Sequence, residues 1–262
     1  MRVCDGDNLH IWYYNPSMEL AKPQQYNARV SDKYFVSENE RFLYVKFELV
    51  KPDRISYQAG QYVSLQINEV GERRCYSIAS TPDDNHGFHI LAEIVEGGKG
   101  SDFLNKIQPG DSVKVLAPLG RFVVQEGQEN KLLFVATGSG IVPIWSMIND
   151  LLINKQETRP MRLHWGMRSE EDLFFVDNLE RLAEEHPNFV FDIVLSKPGT
   201  EWDLCTGHVQ DCLGRDFDPS TSSGLAGWEG YLCGMPDKVI SIATKLEELG
   251  MKKKNIHYEK FA

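Results

Sequence analysis

Apolar and polar residues alternate along the first half of the chain, beginning near Tyr26. The stretch 41–49 puts four apolar side chains on one face of an extended strand, namely Leu43, Val45, Phe47 and Leu49. Similar short stretches recur at 61–67, 74–80, 88–95 and 111–117, separated by turns rich in Pro, Asp and Gly. Five or six short strands at this spacing predict a small antiparallel β-barrel.

A different pattern begins after residue 130. The continuous apolar run 132–136 is typical of a parallel strand that is buried on both faces. Strand-like and helix-like segments then alternate, at 161–166, 170–184, 189–196, 208–213, 231–233, 237–249 and 256–261. This alternation predicts an α/β domain with a mainly parallel sheet. We therefore expect an N-terminal arm at 1–25, a β-barrel domain at 26–125 and an α/β domain at 131–262.

Composition limits the possible functions. A chain of 262 residues is long enough for two domains, and 42% hydrophobic and 25% charged residues describe a globular protein. The net charge of −10 argues against a nucleic-acid partner, which would require a basic surface. No apolar run approaches the length of a membrane span and the N-terminus lacks a signal sequence, so we expect a cytoplasmic protein.

The cysteines and histidines show no metal-binding spacing. The five cysteines form no C-x-x-C pair and are interpreted as reduced thiols: Cys4, Cys75, Cys205, Cys212 and Cys233. The histidines are interpreted as surface residues or as hydrogen-bonded core residues. We therefore expect no metal site and no iron–sulfur cluster.

The strand at 74–80 carries candidate chemistry. Arg74 and Tyr76 share one face of this strand, while Ser77 points to the other face. A guanidinium can grip a phosphate, a tyrosine ring can lie on a planar ring, and a hydroxyl can reach a ring nitrogen. This set would suit a flavin nucleotide. The alternative is an ordinary strand with a solvated arginine and a half-buried tyrosine.

Two glycine-rich turns could bind phosphates. Gly98-Lys99-Gly100-Ser101 predicts a loop, an N-cap at Ser101 and a helix to Ile107, whose free amides would form an anion site. Thr137-Gly138-Ser139-Gly140 joins a strand to a helix and predicts a dinucleotide phosphate site. Pro143 stands where the G-x-G-x-x-G fingerprint has its third glycine, so a simple strand-to-helix turn remains the alternative for this second motif. For the first motif the alternative is an ordinary capped helix after a flexible turn.

Further candidates lie at the carboxyl ends of other predicted parallel strands, where open α/β sheets bind their ligands. They are Arg168, the pair Ser196 and Lys197, and the turn Cys233-Gly234-Met235-Pro236.

Four motifs occur in the order of the ferredoxin–NADP⁺ reductase family, which the chain resembles from about Tyr26 to its end. These motifs are Arg74-Cys75-Tyr76-Ser77, Gly98-Lys99-Gly100-Ser101, Thr137-Gly138-Ser139-Gly140 with Pro143, and Cys233-Gly234-Met235-Pro236. Gly60-Gln61-Tyr62 and Pro118-Leu119-Gly120-Arg121-Phe122 are similar to the family as well. The resemblance implies a flavin barrel and a domain that binds NAD(P)H. We expect the flavin to be FAD, with FMN as the alternative.

The resemblance also implies roles for individual residues. Arg74 and the helix at Ser101 would bind the flavin pyrophosphate, Tyr76 and Ser77 the isoalloxazine, Gly138–Gly140 the nicotinamide dinucleotide, and Cys233 would lie near nicotinamide C4. The catalytic candidates are Ser77, Cys233 and Phe261. The cofactor-binding candidates are Arg74, Cys75, Tyr76, Ser77, Glu93, Ile94, Val95, Gly98, Lys99, Gly100, Ser101, Thr137, Gly138, Ser139, Gly140, Pro143, Arg168, Ser196, Lys197, Cys233, Gly234, Met235, Pro236 and Glu259.

The chain departs from the family at its end, because Glu259-Lys260-Phe261-Ala262 lacks the terminal tyrosine of plant-type members. Phe261 is the candidate to cover the outer flavin face. The cysteines of a fused ferredoxin are missing, so we expect the acceptor to be another molecule, such as ferredoxin, flavodoxin or an oxygenase component.

The resemblance thus implies a reductase that passes hydride from NAD(P)H to FAD and then electrons to its acceptor. The alternatives are an electron-transfer subunit that is active only in a complex, an NAD(P)H-dependent flavin or cytochrome reductase, and a non-catalytic nucleotide sensor. Lys252-Lys253-Lys254 is interpreted as a solvated turn, with a docking patch for an acidic carrier as the alternative.

Overall fold

A computed structural model describes residues 20–125, 129–218 and 224–261, so most of the predicted N-terminal arm lies outside the described residues. The first sheet is antiparallel and has six strands. They are β1 (Gln24–Phe35), β2 (Phe42–Lys51), β3 (Tyr62–Gln66), β4 (Arg73–Ser77), β5 (Gly87–Glu93) and β6 (Ser112–Leu119). The predicted antiparallel architecture is confirmed.

The sheet closes on itself as a barrel. Its strand order is β4-β3-β6-β1-β2-β5, and Ile78, just beyond β4, forms an antiparallel bridge with Ile90 of β5. The Ala79 N–H also donates to the His89 carbonyl at 2.8 Å. Closure removes the exposed sheet edges and encloses the apolar face that the alternation of β2 predicted.

One helix, α1 (Lys99–Lys106), follows β5. Gly98 is its N-cap residue and provides no side-chain cap. Ser101 lies inside the first turn, where its Oγ accepts the Val95 N–H at 2.9 Å. The prediction that Ser101 caps the helix is therefore wrong, because this hydroxyl instead secures the loop that precedes the helix.

The second sheet is parallel and has the strand order β10-β9-β8-β7-β11-β12. Its strands are β7 (Lys131–Thr137), β8 (Met161–Met167), β9 (Phe189–Leu195), β10 (Cys205–Thr206), β11 (Trp228–Gly234) and β12 (Ile256–Lys260). Its helices are α2 (Ile141–Asn149), α3 (Val176–Glu185), α4 (Val209–Asp216) and α5 (Pro236–Glu248). The predicted α/β domain is confirmed.

The segment before α3 differs from the single helix expected at 170–184. Residues Glu170–Asp172 form one 3₁₀ turn, and Phe175 then adopts a left-handed conformation with φ of +60°. This interruption turns Phe174 onto Phe42 of the barrel, with ring centroids 4.8 Å apart. Packing against the first domain therefore overrides the local helical preference.

The two domains share one apolar core cluster. Phe42 and Phe122 of the first domain belong to the same cluster as Phe174 and Tyr231 of the second. Arg41 adds a polar link, since its guanidinium contacts the buried Asp172 carboxylate at 3.1 Å. This continuous packing holds the barrel against the α/β domain.

Two further observations concern the described residues. No helix among them has both the length and the apolar content needed to cross a bilayer. Cys205 and Cys212 form a disulfide, so the interpretation of all cysteines as reduced thiols is wrong for this pair. Cys233 is a free thiol, as expected.

Candidate functional site

Three charged side chains meet beside β4. Glu72 accepts from Arg74 Nη2 at 2.9 Å and from Lys99 Nζ at 3.1 Å. These two cations lower the pKa of Glu72, with the hydrogen bond from Lys99 contributing most. We refer to Glu72, Arg74 and Lys99 as the charged cluster. In the charged cluster Arg74 and Lys99, both predicted to bind the cofactor, contact the same carboxylate. The two cations therefore converge on one place where an anion can bind.

Tyr76 lies next to the charged cluster. Burial raises the pKa of its hydroxyl to about 12. A Cβ added to Gly100 would lie 2.5 Å from Tyr76 Oη and 3.2 Å from Arg74 Cγ, so the glycine lets α1 start close to the strand without displacing these two side chains. Backbone amides of the helix start thereby lie near the arginine, which is an arrangement that fits a pyrophosphate.

The other predicted residues of this region lie either on β4 or at the end of β5 and in the loop after it. Ser77 is buried at the end of β4, on the opposite face from Tyr76, and Cys75 is partly exposed on the same strand. Glu93 directs its carboxylate to Arg41, whose Nε donates at 3.0 Å. Ile94 and Val95 continue from β5 toward Gly98, and Val95 is 56% exposed.

Two strand-to-helix turns pack against each other at the carboxyl ends of β7 and β11. A Cβ on Gly140 would lie 2.2 Å from the Cys233 carbonyl oxygen, and one on Gly234 would lie 2.0 Å from Thr137 Oγ1. Gly234 also has a φ of +153°, which L-residues rarely adopt. We refer to Thr137, Gly140, Cys233 and Gly234 as the double-turn cleft. The close approach of its backbones requires both glycines.

The double-turn cleft contains an unpaired polar atom. Thr137 Oγ1 is buried and has no hydrogen-bond partner among the described residues. Such atoms are rare in folded proteins and usually await a ligand or a water. Trp165 Nε1 donates to the Gly138 carbonyl at 3.1 Å and so fixes the turn beside it. An unpaired hydroxyl beside a glycine-walled cleft fits the amide group of a nicotinamide.

Cys233 and Glu259 are neighbours across β11 and β12, where they pair in register. Cys233 is fully buried, and burial followed by the Glu259 charge raises the pKa of its thiol. Burial raises the pKa of Glu259 to about 8, although part of its surface stays exposed. The carboxyl group is therefore protonated at neutral pH and the thiol remains neutral.

Other residues predicted at the cleft lie around it. The Phe261 N–H donates to the Gly234 carbonyl at 3.0 Å, and its side chain packs against the shared core cluster. Met235 is 65% exposed and Pro236 begins α5, whereas Pro143 is buried inside α2 behind the first turn. Phe261 and Met235 thus both lie next to Gly234 of the double-turn cleft.

Arg168, Ser196 and Lys197 come together at the ends of β8 and β9. The Lys197 N–H donates to the Arg168 carbonyl at 2.8 Å, and the Ser196 N–H donates to the Met167 carbonyl at 3.1 Å. All three predicted residues are exposed. Glu170 also lies here, because its Oε1 accepts the Gly199 N–H at 2.8 Å. This site therefore combines two cations with one carboxylate.

Sequence reasoning missed Glu72 and Gly120. The period of two along a strand was a usable signal for Glu72, since residues 72, 74 and 76 share one face. Gly120 has a φ of +89°, and a Cβ there would lie 2.8 Å from the Tyr62 ring and 3.7 Å from Glu259 Oε1. The barrel end thus meets the carboxyl end of β12, a contact that no local pattern could predict.

A group of residues spaced for a metal ion was not expected. His164, Asp192 and Asp216 meet such a spacing within the described part of the chain, but Arg162 Nη2 contacts both carboxylates, at 2.9 and 2.8 Å. His164 is buried with neither ring nitrogen hydrogen-bonded, and burial lowers its pKa to about 4. The interpretation of His164 as a hydrogen-bonded core residue is wrong.

Comparison with known families agrees with both halves of the site. The family described as an oxidoreductase FAD-binding domain matches residues 27–124, and the family described as an oxidoreductase NAD-binding domain matches residues 134–245. The chain is 33% identical over 227 residues to ferredoxin–NADP reductase B of Sorangium cellulosum, covering 83% of this chain and 90% of that protein. The chain belongs to the ferredoxin–NADP⁺ reductase family. Its cofactors are accordingly FAD and NAD(P)H.

Other members of the ferredoxin–NADP⁺ reductase family extend the comparison. The reductase component DmpP of phenol 2-monooxygenase from Pseudomonas sp. (strain CF600) is 32% identical over 241 residues, covering 91% of this chain. This chain spans only 66% of the length of that relative. The crystal structure of the cytochrome P450 reductase GcoB of Amycolatopsis superposes with a TM-score of 0.82 at 27% identity, covering 91% of this chain and 70% of that one.

Proposed function

We propose that this protein is an NAD(P)H-dependent flavoprotein reductase that passes electrons to a separate acceptor. The observation that carries the proposal is the meeting of two sites at one place. The barrel end at Gly120 lies against Glu259, which is the in-register neighbour of Cys233 in the double-turn cleft. A flavin held by the barrel and a nicotinamide held by the cleft would therefore share a boundary.

The charged cluster and α1 supply the phosphate site in this proposal. Arg74 and Lys99 would neutralise the FAD pyrophosphate, with α1 amides as further donors. Cys75, Tyr76, Ser77 and the backbone from Glu93 through Ile94 and Val95 to Gly98, Gly100 and Ser101 would line the rest of the FAD site. FAD, when bound, accepts a hydride and releases electrons one at a time, which is chemistry that side chains cannot supply.

The double-turn cleft supplies the nicotinamide site. Thr137 Oγ1 is free to hydrogen-bond the carboxamide. Gly140 and Gly234 let the two turns pack against each other, and a Cβ on Gly138 would meet no described atom within 4 Å, so this side of the turn is open to the ring. Burial raises the pKa of Glu259 to about 8, so a neutral carboxyl group lies beside Cys233 where the two sites meet. Phe261 would cover the outer face, while Ser139, Pro143, Met235 and Pro236 shape the turns.

Anaerobic absorption spectroscopy tests the proposal. The purified protein should show a flavin spectrum that bleaches on addition of NADH or NADPH and returns with ferricyanide. A spectrum that stays oxidised while nucleotide binds would support a non-catalytic sensor instead. NAD(P)H oxidation that requires an added partner protein would support the reading as an electron-transfer subunit.

The acceptor is proposed to be a small redox protein or an oxygenase component. The relatives support this class, since they include the reductase component of a phenol 2-monooxygenase and a ferredoxin–NADP reductase. The Lys252–Lys254 segment is unsuited to acceptor docking near the flavin. It precedes β12, whereas the double-turn cleft lies at the carboxyl ends of the strands.

NADH is the proposed donor, with NADPH accepted more weakly. Arg168 and Lys197 could bind a 2′-phosphate beside Ser196, but Glu170 brings a carboxylate to the same loop. A lysine also cannot grip a phosphate with two parallel bonds. A kcat/KM for NADPH more than about tenfold above that for NADH would reverse this preference. We further propose residues 26–125 as the FAD domain, 131–262 as the NAD(P)H domain, and a cytoplasmic location.

A further inference from the structure

Cys205 and Cys212 tie the edge of the parallel sheet to a helix. Cys205 lies in β10, a strand of two residues that pairs only with β9, and Cys212 lies in α4. Cys205 is partly exposed and Cys212 is buried. The disulfide thus joins a minimal edge strand to an element packed in the core, and Cys205 is its partly exposed member.

A cation lies directly against this disulfide. Arg215, one helical turn after Cys212, donates from Nη2 to both sulfurs, at 2.8 Å in the case of Cys212. Positive charge beside a sulfur stabilises its thiolate, which makes it a better leaving group in thiol exchange. The same arginine lines an open groove of about 530 Å³ together with Thr206 and Lys245, so the cation beside the disulfide is itself open to solution.

The strand held by this disulfide also holds the loop proposed to bind the nucleotide. Thr206 pairs with Leu195, and the Gly207 N–H donates to the Leu195 carbonyl at 2.9 Å, directly before Ser196. Trp202 closes the other side of the loop, because its Nε1 donates to the Cys205 carbonyl at 3.1 Å. Loosening β10 would therefore release the end of the segment 196–204 that leads into β10, whereas its start keeps the backbone bonds of Ser196 and Lys197 to the end of β8.

We propose that Cys205 and Cys212 form a redox-active pair that sets the affinity for NAD(P)H through the segment 196–204. The consequence for NAD(P)H rests on the proposed function, whereas the existence and reactivity of the pair do not. In the oxidised state β10 is pinned to α4 and the segment is held in position. In the reduced state the edge strand keeps only its short ladder with β9, and the segment samples other conformations.

The exchange needs a thiol reductant of low molecular weight, such as a dithiol or glutathione. Its thiolate attacks the partly exposed Cys205 sulfur, a mixed disulfide forms, and Cys212 leaves as a thiolate that Arg215 stabilises. A second thiolate then attacks the reductant sulfur of the mixed disulfide. Cys205 is released as a thiolate, both protein thiolates take up protons, and the reductant leaves as its own disulfide. Two electrons pass from the reductant to the protein.

Thiol counting tests the pair itself. After treatment with oxidised glutathione and removal of the reagent, the denatured chain should titrate two thiols fewer than after treatment with dithiothreitol. After dithiothreitol it should titrate five, with a mass gain of about 2 Da for two hydrogens. Five thiols in the oxidant-treated protein would overturn the proposal.

The role of Arg215 can be tested with matched variants. Arg215→Gln should slow reduction by dithiothreitol roughly threefold to tenfold, because the leaving thiolate loses its cation. Lys245→Gln removes the other groove cation, whose Nζ contacts Glu248 instead of the sulfurs, and should leave the rate near that of the wild type. Equal slowing in both variants would contradict the assigned role of Arg215.

Nucleotide affinity and local dynamics test the consequence. After gel filtration to remove reductant, the reduced protein should show a KM for NADH raised about tenfold with kcat unchanged, as expected if the competent segment is populated about a tenth of the time. The double variant Cys205→Ser/Cys212→Ser should show the high KM in both conditions. Hydrogen exchange at 195–207 should accelerate on reduction, while exchange at β12 stays the same.

The outcomes separate this inference from the proposed function. If the protein oxidises NADH with the same KM in both redox states, the proposed function stands and the proposed control of NADH affinity by the disulfide is contradicted. If the protein oxidises no NAD(P)H in either redox state, the proposed function is contradicted. Hydrogen exchange then still tests the disulfide, because unchanged exchange at 195–207 on reduction would overturn its control of that segment.

Discussion

The charged cluster and the double-turn cleft bind their proposed nucleotides by opposite means. The charged cluster depends on side chains that are present, since Arg74 and Lys99 converge on Glu72 at the protein surface. The double-turn cleft depends on side chains that are absent, since Gly140 and Gly234 let two turns approach so closely that a Cβ would collide. The charged cluster is therefore defined by its charges, and the double-turn cleft by its shape.

This difference predicts different sensitivities. Exposed ion pairs are screened by salt and tolerate local movement, so the charged cluster should respond to ionic strength and to loss of charge. A close-packed cleft cannot absorb an extra methyl group without shifting backbone, so the double-turn cleft should respond to added volume. The variants below test this contrast, beginning with the largest expected effect.

Gly234→Ala should be the most damaging change. The new Cβ would lie 2.0 Å from Thr137 Oγ1, at a backbone φ of +153°. Strain and overpacking together should lower the free energy of unfolding by about 2–4 kcal/mol. Nucleotide binding should be lost while the flavin stays bound, as measured by denaturant unfolding and by NAD⁺ titration.

Gly227→Ala provides the matched control for that variant. Gly227 also has a positive φ, of +80°, but a Cβ there meets no atom of the described residues within 4 Å. It should therefore lose only about 1 kcal/mol and keep nucleotide affinity. If both variants behave alike, the collision with Thr137 has no effect and the cleft is not defined by its missing side chains.

Arg74→Ala tests the charged cluster. Removal of a charge-assisted phosphate contact should weaken FAD binding by about 1.5–3 kcal/mol, or tenfold to a hundredfold. The loss should shrink at high salt, in contrast to that of Gly234→Ala. Arg73→Ala is the control, because Arg73 points the other way and donates to Ser64 Oγ at 3.0 Å. Unchanged FAD affinity in Arg74→Ala would remove Arg74 from the binding site.

The sequence predicted two members of the charged cluster better than it predicted the way the domains meet. Local signals assigned Arg74 to a strand and Lys99 to a glycine-rich loop, and the family resemblance related that strand to the helix after the loop; in the structure both side chains contact Glu72. Segments whose conformation depends on the other domain were predicted less well. The helix expected from Glu170 breaks at Phe175 because Phe174 packs on Phe42.

The errors at single residues share one physical cause. Ser101 was expected to cap a helix, but its hydroxyl bonds the Val95 N–H of the approaching loop. Cys205 and Cys212 are seven residues apart and lack a recognised motif, yet the crossing of β10 and α4 brings them together. In both cases a contact between elements decided the outcome, and one-dimensional spacing carries no record of such contacts.

A pH titration sharpens the comparison, because only the double-turn cleft has a neutral carboxyl neighbour. Burial raises the pKa of Glu259 from 4.5 to about 8 in the folded chain. Below pH 4.5 the group is protonated in both states; between 4.5 and 8 only the unfolded chain releases its proton, so stability falls as pH rises. The loss should reach about 1–2 kcal/mol by pH 9, because partial exposure reduces the full effect.

Glu259→Gln should flatten this pH dependence, since the amide keeps the shape of the protonated acid but cannot ionise. The measurement is the midpoint of thermal unfolding between pH 5 and 9 for the variant and the wild type. Parallel curves for the two proteins would show that Glu259 ionises normally.

Cys233→Ser should have the smallest effect and probes the boundary between the two sites. Its thiol is fully buried with a raised pKa, and no second described cysteine lies nearby to form a disulfide, so we expect a packing role beside the nicotinamide. Serine keeps the size but introduces a hydroxyl that must find a partner, which should displace the ring slightly. Because hydride transfer depends on the position of the donor, flavin reduction should slow about threefold to tenfold, or about 0.7–1.4 kcal/mol, while FAD content and NADH affinity persist.

Stopped-flow reduction measures the rate, and Cys233→Ala separates lost volume from added polarity. Reduction at the wild-type rate in both variants would show that Cys233 does not position the nicotinamide.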